Sequence, residues 1–380
     1  MKLKRLKRLS ELAFAFSMLL LWVACGGGDN NQGSSQPPAG GAAPTFAYVV
    51  DQGASNVMAF RIDQTSGTLT PVQTFSFAPG TVPVGGVVSA DGSLAYVALQ
   101  ATGSIAGFVV NKTTGTVTEV ANSPFKAGTN PIGLALTPDA SFLYVANQGS
   151  NDVSAFHIQA GTGVLTPISG SLAGTTPTGI AVSPNGSFLY VVNQGSNNVS
   201  AFVINKTSGA LAPVNKSPFA VGTTPIDVAV SPNGSFVYVT NQASNFVSGF
   251  SVNQTTGELT PLASGPFPVP SGAFSPTGLV IVPSGAFLYA TNQTTNNISA
   301  FSINETTGAL TSLGGPTPAG TTPTALTVSP NGAFLYVADR GDNHVSGFAI
   351  NSNSGGLAPV PGSPFPVGVT PSAIATAGHP

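Results

Sequence analysis

The chain carries very little charge for its length. Asp, Glu, Lys and Arg make up 6% of 380 residues, where an ordinary globular chain carries about 25%. It has one cysteine, Cys25, so no intramolecular disulfide can form and the fold must be held by packing alone. Cys/His clusters, Gly-rich phosphate loops and an ordered Ser, His and Asp set are all missing from the sequence, which leaves zinc, nucleotide and serine-hydrolase chemistry without their usual signatures. Basic residues are few and unevenly placed: Lys2, Lys4, Arg5, Lys7 and Arg8 are five of the eleven. Beyond Cys25, six basic residues face twelve acidic ones, a net charge of −6. Binding to a phosphate backbone needs clustered Lys and Arg, so nucleic acid is excluded as a partner.

Gly (46), Pro (32) and Phe (23) are plentiful, and 42% of the residues are hydrophobic. Low charge with much Pro and Gly can signal disorder, but disordered chains lack apolar surface, and this one has enough for a core. Residues 1–25 read as an export signal: a basic start, an apolar stretch from Leu12 to Ala24, then Cys25. That stretch is too short to span a bilayer as a helix, which takes about 20 residues. Leu21-Trp22-Val23-Ala24-Cys25 resembles a bacterial lipobox, with Trp22 where Leu is usual. The resemblance implies lipidation of Cys25 and anchoring of an exported chain to a membrane of the cell envelope. Residues 26–44, rich in Gly, Ser and Pro, read as a flexible tether.

Self-similarity organises the remainder, residues 45–380. The seven tyrosines, Tyr48, Tyr96, Tyr144, Tyr190, Tyr238, Tyr289 and Tyr336, lie 46 to 51 residues apart. Twelve residues after each stands a Phe (Phe60, Phe108, Phe156, Phe202, Phe250, Phe301, Phe348). Seven further on stands a Gly (Gly67, Gly115, Gly163, Gly209, Gly257, Gly308, Gly355). Within one unit, residues 179–183, 188–192, 199–204 and 210–214 read as strands separated by turns such as Pro184-Asn185-Gly186. Four antiparallel strands per unit and seven units predict an all-β, seven-bladed propeller, with Tyr and Phe packing between blades. The first unit opens in its second strand and residues 371–376 repeat a first strand, so the tail is expected to complete the first blade and close the ring.

Tyr238-Val239-Thr240-Asn241 spells the YVTN motif, and Tyr190–Asn193, Tyr144–Asn147 and Tyr289–Asn292 are variants of it. With the recurrent Ser-Pro-Asn-Gly turns, the chain from about Thr45 onward resembles the YVTN-repeat and lactonase-type seven-bladed propellers, the 6-phosphogluconolactonase-like superfamily. That resemblance implies the fold and, as an activity, the opening of a sugar lactone. The matched motifs are turn and strand residues and carry no catalytic residue over.

Candidate site residues must therefore come from asymmetry. The inner strands share one small-residue position, occupied by Gly85, Gly133, Gly179, Gly278, Ala325 and Ala373, and Asp227 breaks it. The loop from Asp339 to His344 has the densest titratable cluster, making Arg340 and His344 further catalytic candidates beside Asp227. The second strands end in Asp51, Asn147, Asn193, Asn241, Asn292 and Asp339, with Leu99 in the seventh place. These read either as amides and carboxyls bonding their own loops or as a polar rim binding sugar or peptide groups. No metal and no cofactor are expected. The reading favoured by composition is a monomeric, lipid-anchored binding or interaction scaffold for a protein, peptide or carbohydrate; the alternative is a lactonase acting at the central channel.

Overall fold

The computed structural model describes residues 43–377; the leader, Cys25 and most of the tether lie outside the described residues. Seven antiparallel sheets follow one another along the chain. In the fourth, the strands run Pro177–Val182, Phe188–Asn193 and Asn198–Ile204, with a split outer strand, Leu211–Pro213 and Phe219–Ala220. The outer strand was expected as one piece; a Pro-containing loop divides it in five blades. It stays continuous in the first (Leu69–Ser76) and third (Leu165–Leu172).

The tail closes the ring as expected. Pro371–Ala377 pairs antiparallel with Thr45–Asp51, Val50 opposite Ala373 and Phe46 opposite Ala377, so the first blade takes its inner strand from the C-terminal end.

The repeated Tyr–Phe–Gly frame accounts for the blade-to-blade bonding. Each Tyr hydroxyl donates to the backbone carbonyl of the frame Gly in the following blade. Tyr48 reaches Gly115 at 3.0 Å, Tyr96 reaches Gly163 at 2.8 Å and Tyr144 reaches Gly209 at 2.8 Å. The series continues through Tyr190–Gly257, Tyr238–Gly308 and Tyr289–Gly355, and Tyr336 completes it on Gly67 at 2.7 Å. The same Gly is the seat of an aromatic ring from the preceding blade: Phe142 lies against Gly209, and Phe188 against Gly257. At Gly209 φ is +71°, and a Cβ there would stand 2.6 Å from Ile168 Cδ1 and overlap Phe142. Glycine is required twice over, by backbone conformation and by space. The frame Phe side chains are buried, Phe60 and Phe301 at 1% exposure, and burial of such a side chain contributes about 1.5–3 kcal/mol.

Candidate functional site

The inner strands converge on the axis so closely that their shared small position has no room to spare. A Cβ on Gly278 would lie 2.5 Å from the carbonyl oxygen of Thr324 in the next blade, and Gly85 and Gly133 face their neighbours' carbonyls in the same way. Asp227 occupies this position in the fifth blade by bonding across the gap instead of filling it. One carboxyl oxygen, Oδ2, accepts the N–H of Leu279 in the sixth blade at 3.0 Å, and Oδ1 accepts the N–H of Val228 at 2.9 Å. On its other side Gly179 makes room: a Cβ there would sit 2.8 Å from Asp227 Oδ1. Burial pushes the Asp227 carboxyl up to about 6, with the two N–H donors pulling the other way.

Above these strands opens an axial cavity of 610 Å³, lined by residues of all seven blades, a size at which small-molecule sites are usual. Its rim is a ring that sequence reasoning missed: Gln52, Gln100, Gln148, Gln194, Gln242 and Gln293, with Arg340 in the seventh place. Each stands four residues after its blade's Tyr, so the spacing that revealed the blades also contained the ring. The backbone holds them alike. Gln148 N–H donates to Asn130 O at 2.9 Å, Gln194 to Thr176 O at 3.0 Å and Arg340 to Thr322 O at 3.2 Å. The accepting residues have φ near +50°, and the N–H groups of Thr176, Thr224, Ser275, Thr322 and Thr370 are bonded by Asn151, Asn197, Asn245, Asn296 and Asn343 of the blade before. Register therefore fixes where the ring side chains start. Arg340 Nη2 donates to Gln52 Oε1 at 2.6 Å, and Gln242 Nε2 to Gln293 Oε1 at 3.1 Å.

The residue before each ring member points the other way, which corrects the binding rim expected at the strand ends. Asp51, Asn147, Asn193, Asn241, Asn292 and Asp339 are all 0% exposed. Asn193 shows what such a residue does. Its Nδ2 donates to Asn198 Oδ1 at 2.8 Å and Ser200 Oγ at 2.9 Å, while Oδ1 accepts Gly174 N–H at 2.9 Å. Asn147 repeats the pattern, Asn241 keeps the serine and glycine bonds but donates to the Phe246 carbonyl in place of a side chain, and Asn292 makes the two donations. These groups bond their own blade and offer a ligand nothing; Leu99, 3% exposed, fills the same place in the second blade.

The two aspartates of this buried set behave differently from the amides. Asp339 Oδ2 accepts the N–H and Oγ–H of Ser346, at 3.1 and 2.6 Å, while Oδ1 finds no partner. Asp51 Oδ2 accepts Gly368 N–H at 3.2 Å, and its Oδ1 is likewise alone. Opposite Asp51 in the register stands Asn56, whose Oδ1 is also a buried acceptor without a donor. In other blades an amide stands against that oxygen, as Asn193 Nδ2 does against Asn198 Oδ1. Burial pushes both carboxyls up to about 7.

Of the three catalytic candidates, the structure brings Asp227 and Arg340 to one cavity and leaves His344 out. His344 begins the third strand of its blade, opposite Pro366, with Nδ1 against the carbonyl of Asp342. It does not line the cavity, because a third strand lies two strands away from the axis. Asp342 is spent locally, accepting Thr321 N–H at 2.9 Å.

Comparison with known proteins agrees with this geometry. The family model described as lactonase, 7-bladed β-propeller matches residues 26–223, 179–275 and 267–370. Among solved structures, a putative 6-phosphogluconolactonase from Bacteroides fragilis superposes with a TM-score of 0.79 at 20% identity, covering 90% of this chain and 99% of that one. The periplasmic gluconolactonase of Pseudomonas aeruginosa superposes with a TM-score of 0.76 at 19% identity, covering 89% and 100%. At such identities the likeness is one of fold. No curated protein matches the chain. The family model spans nearly all of the described residues, and with the closed seven-bladed ring it decides the classification: this chain belongs to the seven-bladed β-propeller lactonase family.

Proposed function

We propose that the chain is a hydrolase that opens a sugar lactone in the axial cavity. One observation carries the reading: the two charged departures from seven-fold repetition among the cavity-lining residues, Asp227 and Arg340, line the same cavity. Lactone hydrolysis asks for these two groups. A carboxylate titrating near 6 is a competent base at neutral pH, and a guanidinium with no carboxylate partner is suited to the charge that develops on the carbonyl oxygen. A water oxygen bonds to the lactone carbonyl carbon as Asp227 takes its proton. The ring C–O bond then breaks, and the leaving alkoxide takes that proton back. The product acid ionises beside Arg340. Family membership favours this over the scaffold reading that composition suggested. The scaffold reading keeps one observation: both Asp227 oxygens already hold backbone N–H groups, as a structural pin would. The leader and Cys25 support a further reading, in which the reaction takes place outside the cytoplasm on a lipid-anchored protein.

Hydrolysis of glucono-δ-lactone by the purified protein, measured against the spontaneous rate, separates the readings. Turnover that drops at least a hundredfold in Asp227→Asn and Arg340→Gln supports the hydrolase. Turnover indistinguishable from the spontaneous reaction leaves a binding module.

A further inference from the structure

The rim is asymmetric in a way that hydrolysis alone does not require. Gln52 is engaged by Arg340, and Gln242 by Gln293. Among the described residues no side-chain hydrogen bond occupies Gln100, Gln148 or Gln194, which stand on three consecutive blades, half-buried and lining the cavity. Each amide presents one acceptor oxygen and two N–H donors. Three of them in an arc match a row of hydroxyls, each of which donates once and accepts twice. Arg340, beyond the other side of Gln52, has no carboxylate within ion-pair reach: among the described residues the ion pairs are Lys112–Asp91 and Lys216–Glu258, both away from the cavity. No lysine lines the cavity, and its only other charge is the carboxyl of Asp227.

We propose that Gln100, Gln148 and Gln194 read the hydroxyls of an unphosphorylated aldonolactone, while Arg340, seated against Gln52, holds the carboxylate that ring opening creates. The inference rests on the hydrolase reading of the cavity and adds the substrate class and the residues that select it. A phosphate monoester carries close to two negative charges at neutral pH, and charge-assisted bonds are the strong ones; a cavity with one guanidinium and one acidic residue among its lining has no net positive charge to match it. A single carboxylate matches a single guanidinium, which can take it bidentately. The polyol chain is left for the amides.

Calorimetric titration of the whole protein with gluconate, glucose and 6-phosphogluconate tests this without relying on turnover. Gluconate is expected to bind at least tenfold more tightly than either of the others. Arg340→Gln, which makes the ring uniform, should cost gluconate at least tenfold and leave glucose unchanged. The triple variant Gln100→Ala/Gln148→Ala/Gln194→Ala should weaken gluconate and glucose alike, and circular dichroism on both variants checks the fold. Tighter binding of 6-phosphogluconate than gluconate overturns the proposal, as does gluconate affinity unmoved by Arg340→Gln. Gluconate binding that follows the expected pattern in a protein without lactone turnover retains the recognition site and removes the hydrolase. Lactone turnover with no effect of Arg340 on gluconate affinity removes the recognition site alone.

Discussion

Replacing Asp339 by Asn should stabilise the protein at neutral and alkaline pH and remove part of its pH dependence. In the folded state Asp339 is fully buried with one oxygen unpartnered, and burial holds its carboxyl up at about 7. In the unfolded chain it returns to the ordinary value of about 3.9. Between those values the folded state binds one more proton than the unfolded state, so stability falls as pH rises. The contribution of the neutral carboxyl is complete below about pH 4 and is lost as pH climbs through about 7. Roughly three pH units at about 1.4 kcal/mol each set a ceiling near 4 kcal/mol; allowing for relaxation around the charge, about 1–3 kcal/mol is expected. An amide does not titrate, and the Asn-to-Ser bond of the neighbouring sixth blade, Asn292 to Ser299 at 2.8 Å, shows that one fits opposite a serine such as Ser346. Urea unfolding at pH 4, 6 and 8 reads the effect. The Asp339→Asn variant should exceed the parent by about 1–3 kcal/mol at pH 8 and by little or nothing at pH 4. A variant no more stable than the parent at pH 8, with the same slope against pH, would refute the assignment of a neutral buried carboxyl.

Three further outcomes follow from the same geometry. Gly209→Ala meets Phe142 and Ile168 at a positive φ and should lose roughly 2–4 kcal/mol in urea unfolding. Tyr144→Phe leaves the Gly209 carbonyl without its donor and should lose about 1–3 kcal/mol. Deleting residues 371–380 strips the first blade of its inner strand and should lower the melting temperature by many degrees or prevent folding; an unchanged melting temperature contradicts closure by the tail.

The fold was legible because seven copies repeat a frame whose every member has a packing reason: a hydroxyl, a ring, and a glycine that receives both. The outer strands were less legible. They lie outside the constant Tyr-to-Gly block, and there local Pro and loop length decide whether a strand runs on or breaks. Asp227 could be read because a charge in a row of Gly and Ala has no structural use until its cross-blade bond is seen. The polar rim of the cavity was misplaced by one residue. Asn193 and Gln194 are neighbours at the end of a strand, where adjacent side chains take opposite directions. Asn193 turns into its blade and Gln194 lines the cavity. Composition favoured neither, since both are uncharged amides, and only the register told them apart.

The hydrolase assignment is tested most directly by the pH dependence of kcat/KM for glucono-δ-lactone, corrected for spontaneous opening. If Asp227 is the base, the rate rises with pH through an apparent pKa near 6, the position burial gives this carboxyl, and Asp227→Asn abolishes both the rise and at least a hundredfold of the rate. A rate in Asp227→Asn equal to that of the parent, with the same pH profile, contradicts the account.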